Sequence, residues 1–432
     1  MSASVTPDFD AIVIGAGHNG LVAAAYLARS GMRTLLVEAR AQVGGTAASE
    51  PFAGATVNIC NCDHLTFRTT PVIEELALAD HGLEYLDVDP AQHNFSWNSA
   101  AGGQGWSHHH DLDATLDDLG RHFPSQVDGY RRYAEAAMPT IEMVFEAAAE
   151  PPTVAGLTRL ALRRRLSGAS TLMRWSRRSA ADVLRSHFSE DAITGPGALI
   201  GPMVWGISPE TPGTGFGALP LALLAASEAA GGTLRTESPV DTITCSGERV
   251  DGITLVDGTE VTAPIVVSAC NPHDTFLRWL RNPPASATDL VRRWRDVRRD
   301  EGYESKIDAV LSSPPVLRGV ERPLGPTTAI APGLDEIDRG AAMIAAGRVM
   351  ARPGMLVNVP TLLDPSMAPD GRHVLSLEAI YTPYGLTGGW AGSDEPRRWL
   401  ELFADLCEPG FLDTIIEWRA MTPDVYERDF HL

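Results

Sequence analysis

The sequence predicts an α/β fold: a Rossmann-like nucleotide-binding domain with a central parallel sheet and a β-meander, split by an inserted α+β domain. Three observations carry this. Residues 11–38 spell a strand, a glycine turn, a helix and a second strand that ends on an acid. Residues 233–269 are hairpin-rich and close on a second wholly apolar strand. The stretch between these blocks is helical and rich in arginine, so the chain leaves its first sheet and later re-enters it.

Ala11–Ile14 is a short apolar run of the kind buried in a parallel sheet. Gly15, Gly17 and Gly20 follow with G-x-G-x-x-G spacing. The first glycine permits a tight turn, the second lets a pyrophosphate approach the backbone, and the third lets helix and strand pack closely. Leu21–Ser30 reads as an Ala-rich helix that Gly31 ends, with its N-terminus toward the phosphates. Thr34–Val37 is the second strand, and Glu38 at its tip is placed to accept hydrogen bonds from an adenosine ribose. Beyond residue 72 come a short helical segment, extended stretches and a helix-rich run from Leu116, broken by Pro151 and Pro152. Residues 155–187 are helical and basic. Leu219–Ala229 reads as a helix and Thr233–Val240 as a strand. Asp241–Cys245 pairs with Gly252–Val256, Asp257-Gly258 is a hairpin turn, and Ile265–Ala269 is a strand buried on both faces. The expected division is 1–70 and 219–274 for the nucleotide-binding domain, with 71–218 and 275–432 for the second domain.

Composition narrows the classes. The 432 residues are 44% hydrophobic and 21% charged, which suits a globular chain of two or three domains. The net charge of −20 argues against nucleic acid as a partner. Lys306 is the only lysine beside a large arginine complement, which reads as compositional bias. Five cysteines (Cys60, Cys62, Cys245, Cys270, Cys407) make no disulfide framework and suit a reducing cytoplasm. No apolar run reaches membrane-spanning length, and the N-terminus has no basic region of a signal peptide.

Gly44-Gly45 after Glu38 resembles the flavoprotein superfamily of amine oxidases and phytoene desaturases. Thr211–Pro220, Val250–Gly258, Ile265–Pro272, Pro360–Leu377 and Tyr381–Tyr384 are likewise similar to phytoene dehydrogenase-like FAD oxidoreductases. The last two stretches are most similar to the pyridine nucleotide-disulphide oxidoreductase domain branch. The resemblance spans nearly the whole chain. It implies FAD as cofactor, hydride removal from a largely apolar small molecule, and a substrate domain beside the flavin domain. It also implies that Gly15, Gly17, Gly20, Glu38, Arg40, Gly44, Gly45 and Thr46 line the FAD. His18, Asn19, Ala39 and Ala269 adjoin them, and Val240 meets the adenine through its backbone. Members of that family carry a further glycine-rich strand and helix that closes over the flavin, and none precedes Leu432 here. The expectation is a truncated chain or a second polypeptide that supplies the segment, as in a heterodimer.

For chemistry, Asp63 and His64 are the candidate base or substrate contacts, set against a structural histidine. Cys60-x-Cys62-x-His64 lacks the second half of a metal site, so no metal is expected. His108, His109 and His110 read as an extended segment with a structural or surface role, the middle ring opposite the other two. Gly213, Gly215 and Gly217 resemble the family's glycine strip or form a simple loop. The arginines at 155–187, interleaved with leucines, suggest either peripheral membrane contact or a solvated, salt-bridged face. The alternative to an oxidoreductase is a non-catalytic lipid- or prenyl-binding carrier of the same fold, and a third reading is a flavoprotein subunit active only in a complex.

Overall fold

The computed structural model describes residues 6–60, 70–148, 153–164, 168–200, 232–297, 304–320, 324 and 327–431. Cys62, Asp63, His64, the helix expected at 219–229 and the glycines at 213, 215 and 217 lie outside the described residues.

β1 (Ala11–Ile14) and β2 (Thr34–Val37) run parallel, and every residue of both is buried. β7 (Thr233–Arg235) adds beyond β2 and β11 (Val266–Ser268) beyond β1, giving the parallel order β11-β1-β2-β7. The helix His18–Arg29 buries Leu21, Ala24, Ala25 and Ala28, the spacing of one helical face. Gly31, at φ +90°, ends it.

Three expectations are corrected here. Thr233–Val240 is two strands: β7 stops at Arg235, and Val240 opens β8 (Val240–Ser246). The break comes where Glu237 takes a left-handed backbone and the N–H groups of Glu237 and Ser238 turn to donate to the carbonyls of Arg40 and Glu38. The strand expected at Ile265–Ala269 shrinks to β11, which is half-buried, because among the described residues only β1 pairs with it. The expected boundary at 274/275 falls inside one π-helix, Asp274–Trp279. Trp279 and Leu280 join the core between the first sheet and the meander of β8, β9 (Arg249–Leu255) and β10 (Glu260–Thr262), so this segment sits with the nucleotide-binding unit.

The second unit is built on a seven-stranded sheet. Its order is β16 (Ile415–Met421), β12 (Glu304–Leu311), β15 (His373–Ile380), β14 (Gly354–Asn358), β13 (Thr327–Ala331), β5 (Gln92–Ser96) and β6 (Trp106–His108). Only β13 and β5 pair in parallel. One face carries Ile307, Met355, Val357 and Leu377 against Trp399 and Phe403 of the helix Glu395–Ala404. On the other face Val310 and Val374 meet Ala55 and Val57 of the hairpin β3 (Ser49–Phe52) and β4 (Ala55–Asn58). That second face therefore looks toward the nucleotide-binding unit. Among the described residues no helix is long and apolar enough to cross a membrane.

Candidate cofactor cavity and the buried polar face

The glycine turn is packed from behind and open in front. A Cβ at Gly20 would lie 1.8 Å from the Gly15 carbonyl oxygen, and one at Gly15 would lie 2.5 Å from Cys270 Sγ. A Cβ at Gly17 meets nothing within 4 Å. Gly17 is thus not required by the protein's own packing; its bareness faces a cavity of about 440 Å3, the size of a small-molecule site. The helix that starts at His18 has no side-chain cap from its N-cap residue, Gly17.

Glu38 closes the other side. Its carboxylate accepts from the Ala16 N–H at 2.7 Å and the Arg40 N–H at 2.9 Å, which fixes it at the tip of β2. Gly44 and Gly45 both hold positive φ, and the Gly44 N–H donates to the Ala16 carbonyl at 2.8 Å. This second glycine pair lies against the first, with Gly17 and Gly44 bridged. His18, Asn19, Ala39, Thr46, Val240 and Ala269 line the cavity with Gly15, Gly17, Glu38, Arg40 and Gly45. Gly20 and Gly44 support it from behind.

Sequence reasoning missed other lining groups. Cys270, Trp279 and Phe430 are brought in by the π-helix and by the helix Pro423–Phe430. Burial pushes the Cys270 thiol up to about 12, which disfavours its thiolate. Arg40 lies 4.1 Å over the Phe430 ring, and its Nη1 is buried without a hydrogen-bond partner. An orphaned guanidinium N–H beside an uncapped helix start fits a diphosphate or ribose oxygen. The cavity therefore fits the adenosine diphosphate portion of FAD. Glu38, Arg40, Gly17 and the helix start would hold it.

From Arg40 a chain of charges crosses into the second unit. Arg40 pairs with Glu50 at 3.6 Å, and Glu50 also accepts from Arg419. Arg419 donates twice to Asp308, at 2.9 and 3.0 Å. Lys306 donates to Asp308 at 2.5 Å and to the Asn58 carbonyl. Lys306 is 1% exposed and Asp308 0%. Glu304, on the same face, is pushed up by burial, against a hydrogen bond from Cys60 and the charge of Lys306. Strand register puts Asn94, Leu356, Glu378 and Lys306 in one transverse row of that face, with Asn358, Ser376 and Asp308 in the next. Asn94 Nδ2 and Asn358 Oδ1 are buried there without partners. No sequence pattern marks this wall: alternation shows which residues share a face, but not that polar residues will be buried on it.

The histidine run is corrected by the structure. The strand stops at His108, whose half-buried ring packs against Trp106 with the Tyr130 hydroxyl 2.5 Å from Nε2. His109 and His110 turn outward to Asp89 and Asp87. It is therefore the first ring, not the middle one, that faces alone. Among the described residues no group of three metal-binding side chains occurs.

Comparison with known proteins agrees with this geometry. Residues 13–76 match the NAD(P)-binding Rossmann-like domain. The chain is 27% identical to pyridine nucleotide-disulfide oxidoreductase domain-containing protein 2 of Mus musculus, over 99% of this chain and 83% of the mouse protein. It is 25% identical to prolycopene isomerase 1 of an Oncidium hybrid cultivar, over 98% of this chain and 73% of that protein. In fold it is similar to cyclohexylamine oxidase from Brevibacterium oxydans, with a TM-score of 0.53 at 17% identity, covering 96% of this chain and 84% of that one. With its Rossmann-like domain and these relatives, the chain fits the superfamily of FAD-dependent oxidoreductases and desaturases.

Proposed function

We propose that this chain binds FAD and oxidises a small molecule held between the nucleotide-binding unit and the polar face of the seven-stranded sheet. The observation that carries the reading is Gly17: a bare backbone at a helix start whose missing Cβ no protein atom approaches, with Glu38 and Arg40, whose Nη1 lacks a partner, on the same cavity. FAD, when bound, supplies a two-electron acceptor for hydride removed from carbon. The protein's part is to position and to exclude water. Glu38 and Arg40 would orient the adenosine diphosphate end. On the polar face of the sheet Asn94 and Asn358 keep buried atoms without partners, which favours a substrate that has at least one polar group beside its apolar body. A carrier with no redox role would have no need of the glycine turn and its acid.

A second polypeptide is the proposed partner. The half-buried strand β11, unpaired on its outer side among the described residues, supports it, because an open edge accepts a strand from another chain. The test is purification of the chain alone and together with candidate partners. Flavin absorbance near one per chain, bleached anaerobically by an amine, alcohol or alkene substrate, is expected. Colourless protein that takes up no added FAD would refute the cofactor reading. A lone chain that is monomeric, holds FAD tightly and turns over would refute the need for a partner.

A further inference from the structure

The helices Val127–Ala148, Val154–Arg163 and Ala169–Trp175 form a lobe of unusual surface. Val154 is 84% exposed, Leu162 67%, Met173 60% and Met138 56%. Four of the five most exposed large apolar side chains among the described residues are thus gathered on this one lobe. Val154 and Leu162 lie on one helix, about 80° apart around its axis, within the width of a single apolar stripe. Isolated exposed apolar residues need no explanation, but a gathered set marks a contact surface.

Charge gives the chemistry of the partner. Residues 153–178 contain seven arginines and no acidic residue, on a chain whose net charge is −20. Part of that charge is used inside the molecule: Arg163 and Arg164 pair with Glu146, and Arg164 also with Glu142. Arg159 and Arg177 remain on the surface, on the helix that carries Leu162 and just past the one that carries Met173. On a chain of net charge −20, this run of arginines without an acidic residue is a local reversal of sign. Short apolar tips set among arginines match an anionic bilayer: the tips enter the acyl boundary while the guanidinium groups stay with the phosphates.

We infer that this lobe docks the protein on an anionic lipid surface, with Val154, Leu162 and Met173 inserted and Arg159 and Arg177 at the headgroups. The test is flotation of the full chain with vesicles of phosphatidylcholine alone, or with added phosphatidylglycerol. Binding is expected only with phosphatidylglycerol, and raised salt should weaken it. Leu162→Ser should lower binding about tenfold and Arg159→Gln about fivefold, with melting temperature and flavin content unchanged. No binding to the anionic vesicles overturns the proposal, as does equal binding by the variants. So does a dimer in solution that Leu162→Ser splits, which would assign the face to a second copy.

Discussion

Lys306 shows how much a single position can carry. A chain that uses arginine at every other basic position keeps one lysine, and it lies fully buried between Asp308 and the Asn58 carbonyl. A guanidinium is larger and planar and cannot occupy a pocket closed around an ammonium. Lys306→Arg should therefore destabilise by about 3 kcal/mol despite keeping the charge, close to the cost of breaking a buried pair; chemical denaturation would measure it. Glu304 adds a pH dependence. Burial raises its folded pKa above the ordinary 4.5, so the folded state holds that proton more tightly than the unfolded chain. Its contribution is complete below about pH 4.5 and is lost as pH rises through the folded pKa. Melting temperature of the wild type should thus fall, relative to Glu304→Gln, as pH is raised from about 5 to about 8. The sequence marks neither role: lysine count reads as bias, and Glu304 opens a strand with no signature of burial.

At the scale of elements, the nucleotide-binding turn is a joint between one strand and one helix. Gly20 has no room for a methyl group, because the Gly15 carbonyl occupies that space. Gly20→Ala should separate helix from strand and cost about 3 kcal/mol, the upper range for overpacking, seen as a lowered melting temperature with or without FAD. Strand, turn, helix and acid were all legible here, with β1 and β2 at their expected bounds, because each obeys a local rule of pattern and spacing. The elements that misread were those governed by distant partners. β11 looked fully buried because its residues are apolar, yet burial depends on which strands flank it. Thr233–Val240 looked continuous because its composition is, yet the hydrogen bonds of Glu237 and Ser238 to the tip of β2 break it. His108 went inward because Tyr130, 22 residues away, waits there.

For the molecule as a whole, the central feature is the line of charge from Arg40 through Glu50, Arg419 and Asp308 to Lys306. It joins the cofactor cavity to the seven-stranded sheet, and no local sequence rule could predict it, since directly paired members lie up to 369 residues apart. The cavity's glycines and acid were readable in the sequence, while its far wall, with Cys270, Trp279 and Phe430, depends on how the units meet. On the proposed function, this cavity takes a dinucleotide. Gly17→Ala tests it most directly, because a Cβ there touches nothing in the protein and φ is −68°. The measurement is flavin content beside melting temperature of the flavin-free protein. The expected result is at least a tenfold loss of bound FAD with stability changed by less than about 0.5 kcal/mol. A Gly17→Ala protein that holds FAD as well as the wild type would contradict the account.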